Sequence, residues 1–148
     1  MKKIGIYLFA SLLTLAWNVS GKENGRKVNS FNEGWKFHLG DVAAASQPSF
    51  DDSDWRNLTL PHDWAIEGAF SKDNPSGAGG GALPGGVGWY RKTFRVEPSA
   101  KNKKLFIGFD GVYMNSDVWI NGHHLGFRPY GYISFQYDIT PYLNFNGD

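Results

Sequence analysis

Asp117-Val118-Trp119-Ile120-Asn121-Gly122-His123-His124-Leu125-Gly126-Phe127 decides the fold. Two short runs rich in β-branched and aromatic residues flank Asn121-Gly122. That dipeptide suits a two-residue hairpin turn, because both central positions require positive φ. Working outward, Leu105, Ile107 and Phe109 share one face of a strand that ends at Asp110-Gly111. Ile133 to Tyr137 forms another strand, before a turn at Asp138-Ile139-Thr140-Pro141. Upstream, Trp35 to Leu39 alternates apolar and polar side chains, as does Tyr90 to Val96, with Tyr90, Lys92, Phe94 and Val96 on one side. Asn57 to Leu60 is a short strand closed by Pro61. After the first twenty residues no long segment repeats at the helical period. Six or seven short strands separated by turn signals predict an all-β sandwich or barrel.

The first residues read differently. Lys2 and Lys3 precede an apolar run from Ile4 to Trp17, followed by small residues at Val19-Ser20-Gly21. This is the plan of a secretory signal peptide, and the run is short for a membrane span. Residues 1–21 are therefore expected to direct export to the periplasm or beyond, and 22–26 to form a polar leader. Residues 27–148 form the domain. After cleavage no membrane partner is expected. The 148 residues contain no cysteine, so packing must hold an exported domain without disulfides. Six Trp, seven Tyr and eleven Phe can supply that packing. A formal charge of +1 with interspersed signs gives no electrostatic track for nucleic acid.

The compositional break falls between Lys72 and Gly88, where seven of the twelve residues from Gly77 onward are glycine. A structureless stretch of this length within a compact domain is usually functional or disordered. Gly77, Gly79 and Ala82 loosely match a dinucleotide fingerprint, but the strand follows instead of preceding it, which argues against nucleotide binding. Asp51, Asp52 and Asp54 do not fit a calcium loop and are expected to serve turns and caps. His123 and His124 point to opposite faces of a strand, and His38 and His62 stand alone, so no metal site or cofactor is expected. Trp55, Trp64, Trp89, Trp119 and Tyr113 could stack on sugar rings, although most must fill the core.

Phrases along the chain carry a resemblance: Phe31-Asn32-Glu33-Gly34-Trp35-Lys36-Phe37, Phe50-Asp51-Asp52-Ser53-Asp54-Trp55 and Leu60-Pro61-His62-Asp63-Trp64. Gly88-Trp89-Tyr90-Arg91-Lys92, Phe109-Asp110-Gly111-Val112, Trp119-Ile120-Asn121-Gly122 and Gly126-Phe127 complete the series. Together they resemble the galactose-binding-domain-like jelly-roll β-sandwich that opens glycoside hydrolase family 2 enzymes, most of all exported bacterial β-galactosidases. Relatives that cleave glucuronides or mannosides share this sandwich. The resemblance implies continuation into an immunoglobulin-like domain and a (β/α)₈ barrel. There, one glutamate acts as nucleophile and another as acid/base in a retaining mechanism. Neither glutamate motif occurs here, so no catalytic residue is assigned, and the chain alone is expected to be inactive. The chain stops at Asn144-Phe145-Asn146-Gly147-Asp148, where relatives run into a further strand, so a truncated sandwich short of an edge strand is expected.

The resemblance also implies that a loop of this domain reaches the barrel mouth to contact a galactoside or related glycan. Asn74 is the first candidate, with Asp73 and Lys72 beside it. The same loop could instead merely pack against the neighbouring domain. The chain could also be a free-standing carbohydrate-binding module or a purely structural accessory.

Overall fold

The computed structural model describes residues 25–145. The segment read as a signal peptide, most of the leader and the last three residues lie outside the described residues. Seven strands appear in order: β1 Trp35–Leu39, β2 Arg56–Leu58, β3 Gly88–Arg91, β4 Phe106–Phe109, β5 Ser116–Ile120, β6 His123–Arg128 and β7 Phe135–Asp138. Between them are only short 3₁₀ turns, so the described residues are all-β as expected. The described strands form three antiparallel sheets ordered β2-β1-β3, β4-β7 and β5-β6, and the sheets are not closed.

The hairpin forms where the sequence puts it. Asn121 and Gly122 take φ of 48° and 81°, the pair of positive values that a two-residue turn between right-twisted strands requires. An irregularity at Val118/Trp119 shifts the register, so that Trp119 faces His124.

β3 is shorter than the alternation from Tyr90 to Val96 suggests. Its ladder with β1 runs from Leu39↔Gly88 to Lys36↔Arg91 and stops. Beyond it Lys92 turns its ammonium to the carbonyls of Phe31 and Glu33 and lies 4.0 Å from the Phe31 ring centroid. That contact caps the sheet where the ladder runs out. β7 likewise begins at Phe135 instead of Ile133, because its pairing with β4 starts at Phe109↔Phe135.

Rings join the ladders. Trp89 on β3 stacks on Trp119 of β5, with centroids 5.3 Å apart and planes at 26°, tying the first sheet to the hairpin. Phe109 stacks on Phe135 across β4 and β7 at 4.9 Å. Phe37, Ala45, Trp55, Phe135 and Ile139 are buried. Aromatic pairs of this kind contribute about 0.5–1.5 kcal/mol each beyond their buried area. Rings therefore take the place of the missing sulfur bridges.

Candidate functional site

The expected contact loop starts from a polar root. β2 covers Arg56–Leu58 and stops short of Pro61, where the sequence put its end, because its ladder with β1 stops at Trp35↔Leu58; residues 62–64 then lead into a 3₁₀ turn at Ala65–Glu67. Asp63 accepts the Ala65 amide at 3.0 Å, which starts that turn. His62 does not stand alone. Its Nδ1 lies 2.8 Å from the Tyr90 hydroxyl, and its Nε2 lies 2.8 Å from Arg56 and 3.1 Å from Glu67. Arg56 also donates to both Glu67 oxygens, at 3.1 and 2.8 Å. The sequence hid this cluster because Arg56, His62, Glu67 and Tyr90 are scattered along the chain, and of the four only His62 and Tyr90 fall in the phrases that carry the resemblance.

Burial pushes the Tyr90 phenol up to about 12, with the nearby Asp63 and Glu67 charges acting in the same direction. A raised phenol favours the folded state below pH ~10, and that contribution drains away as pH climbs toward 12. Ultraviolet titration should therefore show one tyrosine ionising near pH 12, and Tyr90→Phe should remove that step. Ionisation of every tyrosine near pH 10 would show that Tyr90 is not enclosed.

From Gly68 onward the loop is built by its own backbone. Ser71 donates its amide to Ala82 O at 3.0 Å. Asn74 Nδ2 donates to Ala69 O at 3.0 Å and to Ala82 O at 2.8 Å, while Ser76 Oγ donates to Leu83 O at 2.6 Å. Glycine is needed where neighbours come close: a Cβ on Gly68 would fall 2.3 Å from Pro84 Cγ. The three residues named from sequence therefore separate into two kinds. Lys72 and Asp73 are exposed at the tip. Asn74 is half-buried and spends both amide hydrogens as a staple, which leaves its Oδ1 as the group with acceptor capacity.

A second polar cluster lies under a cleft of about 340 Å³ lined by Gly34, Lys36, Asp52, Arg91, Lys92 and Thr93. Asp51 makes the expected turn, accepting the Ser53 amide at 3.0 Å. Asp52 does something else: it takes Lys36 Nζ at 2.7 Å and Arg91 Nε at 2.9 Å. Burial alone would raise the Asp52 carboxyl, but hydrogen bonds and charge from Lys36 and Arg91 outweigh it and hold it below the usual range. Arg91 also donates to the carbonyls of Ala45, Gln47 and Phe50. The cations of this cleft are thus committed to the fold, and the cleft is a lock between β1, β3 and residues 45–52.

Residues 80–148 match the family model described as glycosyl hydrolases family 2, sugar binding domain. The chain is 66% identical over 121 residues to the β-galactosidase BoGH2A of Bacteroides ovatus, an alignment covering 82% of this chain and 14% of that protein. It is similar to the crystal structure of a β-glycosidase from Bacteroides vulgatus, with a TM-score of 0.75 and 58% identity, covering 77% of this chain and 15% of that one. A Bacteroides uniformis β-glucuronidase structure matches with a TM-score of 0.70 and 31% identity, covering 80% and 13%. Fold and likeness define a domain of a glycoside hydrolase. More particularly, the chain belongs to glycoside hydrolase family 2 and carries its N-terminal sugar-binding β-sandwich. It spans about one seventh of the length of these relatives.

Proposed function

We propose that this chain is the opening domain of an exported, retaining β-galactosidase-like hydrolase, and that it braces a downstream catalytic barrel and lends the 68–87 loop to the substrate pocket. The observation that carries this reading is the division within the loop. A staple at Asn74 and Ser76 fixes its path, while Lys72 and Asp73 stand exposed at its tip. A loop held in this way can present groups to a neighbouring domain without ordering itself at the moment of contact. The make-up of residues 1–21 supports export, and the likeness to BoGH2A supports a galactoside as substrate. Asn74 would meet the sugar through Oδ1, accepting a hydroxyl hydrogen.

The test uses the longer polypeptide and the 148-residue chain side by side with a chromogenic β-galactoside. The long form turns over and the chain alone does not. In the long form Asn74→Ala lowers kcat/KM about tenfold or more, the cost of a lost sugar hydrogen bond together with a loosened loop. Turnover by the chain alone, or an Asn74→Ala enzyme with unchanged kcat/KM, contradicts the proposal.

A further inference from the structure

Of the five aromatic residues that could face a sugar, four are committed elsewhere. Trp55 is 8% exposed, and Trp89 and Trp119 stack on each other. Trp64 lies against Gly86 and Gly88, where a Cβ would fall 3.9 and 2.9 Å from its indole. Tyr113 is different, at 71% exposed. It has companions: Tyr132 is 74% exposed and Tyr130 57%. Tyr113 and Tyr132 have centroids 5.5 Å apart at 65°, and Tyr130 and Tyr132 are 5.6 Å apart at 58°. Two loops carry this cluster, one between β4 and β5 and the other between β6 and β7.

We propose that Tyr113, Tyr130 and Tyr132 form an aromatic platform that binds a neutral glycan chain by stacking sugar rings against their faces. Three observations single out that ligand. First, the two loops, residues 110–115 and 129–134, contain one charged side chain, the exposed Asp110 at the root of the first, and no Lys, Arg or His. Arg128, just before the second loop, lies over the Phe135 and Tyr137 rings, 5.4 and 5.7 Å from their centroids. The surface is therefore matched to an uncharged partner and not to nucleic acid or an acidic polymer. Second, the rings are tyrosines, amphipathic bodies whose hydroxyls seek a partner when covered. A dry protein face would strand those hydroxyls, whereas a polyol supplies donors and acceptors beside its C–H faces. Third, the loops are fixed against each other before any ligand arrives. Asn115 donates its amide to Pro129 O at 3.3 Å, and Gly131 is buried so close to Tyr113 that a Cβ would fall 2.7 Å from the Tyr113 Cα. Rigid tyrosines supply contact area at low entropic cost, which is how exposed rings become binding sites. This platform is separate from the 68–87 loop and does not depend on the reading of that loop.

Native electrophoresis of the full 148-residue chain through gels cast with β-1,4-galactan, β-glucan or polygalacturonate tests the proposal. The neutral polysaccharides are expected to retard the wild-type chain more than polygalacturonate does. The Tyr113→Ala/Tyr132→Ala variant should weaken that retardation about tenfold or more, as expected for losing two stacking faces. Tyr132→Phe, which keeps the flat face, should remain retarded, and unchanged thermal melting of both variants shows that the fold is intact. The proposal is overturned by no retardation of the wild type, by retardation only in polygalacturonate, or by equal retardation of the double alanine variant. It is also overturned if binding vanishes with Asn74→Ala and survives at the tyrosines. That outcome places the ligand on the 68–87 loop and leaves the hydrolase reading standing. Self-association of the wild type that the double variant loses would mean that the face docks a second copy, which likewise overturns it.

Discussion

Arg91→Ala is expected to lower the melting temperature by about 10 °C, from a loss of about 3 kcal/mol. The size follows from how many groups one guanidinium serves. It pairs with Asp52 at 2.9 Å, with 17% and 19% of the two side chains exposed, and donates to the carbonyls of Ala45, Gln47 and Phe50. Removing it leaves a half-buried carboxylate with Lys36 as its remaining cation and takes a donor from three carbonyls, of which Gln47 O keeps the Phe50 amide; acceptors left unpaired cost more than the bonds contributed. Arg91→Lys should recover only part of the loss, because one ammonium cannot reach carbonyls spread over residues 45–50 as the planar fork does. The pH dependence gives a second check. The folded Asp52 carboxyl sits below its ordinary 3.8, so its contribution is present above that value and disappears as acid carries the pH down through the folded pKa. The variant should therefore show a shallower decline in stability below pH 4 than the wild type. A melting temperature within two or three degrees of wild type, about the effect of an ordinary surface change, would mean that the lock contributes little.

Gly131→Ala should cost about 2–3 kcal/mol, although it adds one methyl group. The added carbon would lie 2.7 Å from the Tyr113 Cα and 2.8 Å from its Cδ2. A main-chain atom cannot swing aside, so the two loops must part. Gly111 marks the same tight approach, since a Cβ there would meet the Gly131 carbonyl oxygen at 2.9 Å. Urea denaturation should show a lower midpoint at unchanged slope, and retardation by neutral polysaccharide should fall with it. Wild-type stability in Gly131→Ala would show that the loops are further apart than described.

The strands were legible because their signals are local. Asn121-Gly122 marks its own turn, and the alternation in Trp35–Leu39 survives as β1. Alternation failed at Lys92 to Val96, because a strand exists only where another backbone pairs with it, and the β1 ladder stops at Arg91. The charged lock was hidden for a different reason. Asp52 looked like one of three turn-forming aspartates, and only the folded chain brings Lys36, sixteen residues away, and Arg91, thirty-nine away, onto its two oxygens. His62 was likewise read as isolated, since its partner hydroxyl on Tyr90 lies twenty-eight residues further on. The glycine-rich stretch stood out by composition alone, but sequence could not say that Asn74 turns inward while Lys72 and Asp73 face outward. The exposed tyrosines escaped notice as a group because nothing in the one-dimensional order distinguishes Tyr113 from buried Trp55 or from Trp89 and Trp119, which stack on each other.

The way the 68–87 loop is fastened bears on how such domains diversify. Its shape rests on carbonyls, two small polar anchors and close glycine contacts, and none of these involves the side chains of Lys72 or Asp73. Mutation at those two outward positions can therefore accumulate across a lineage at little cost to folding. The outward tip can then vary while the scaffold beneath it is inherited unchanged.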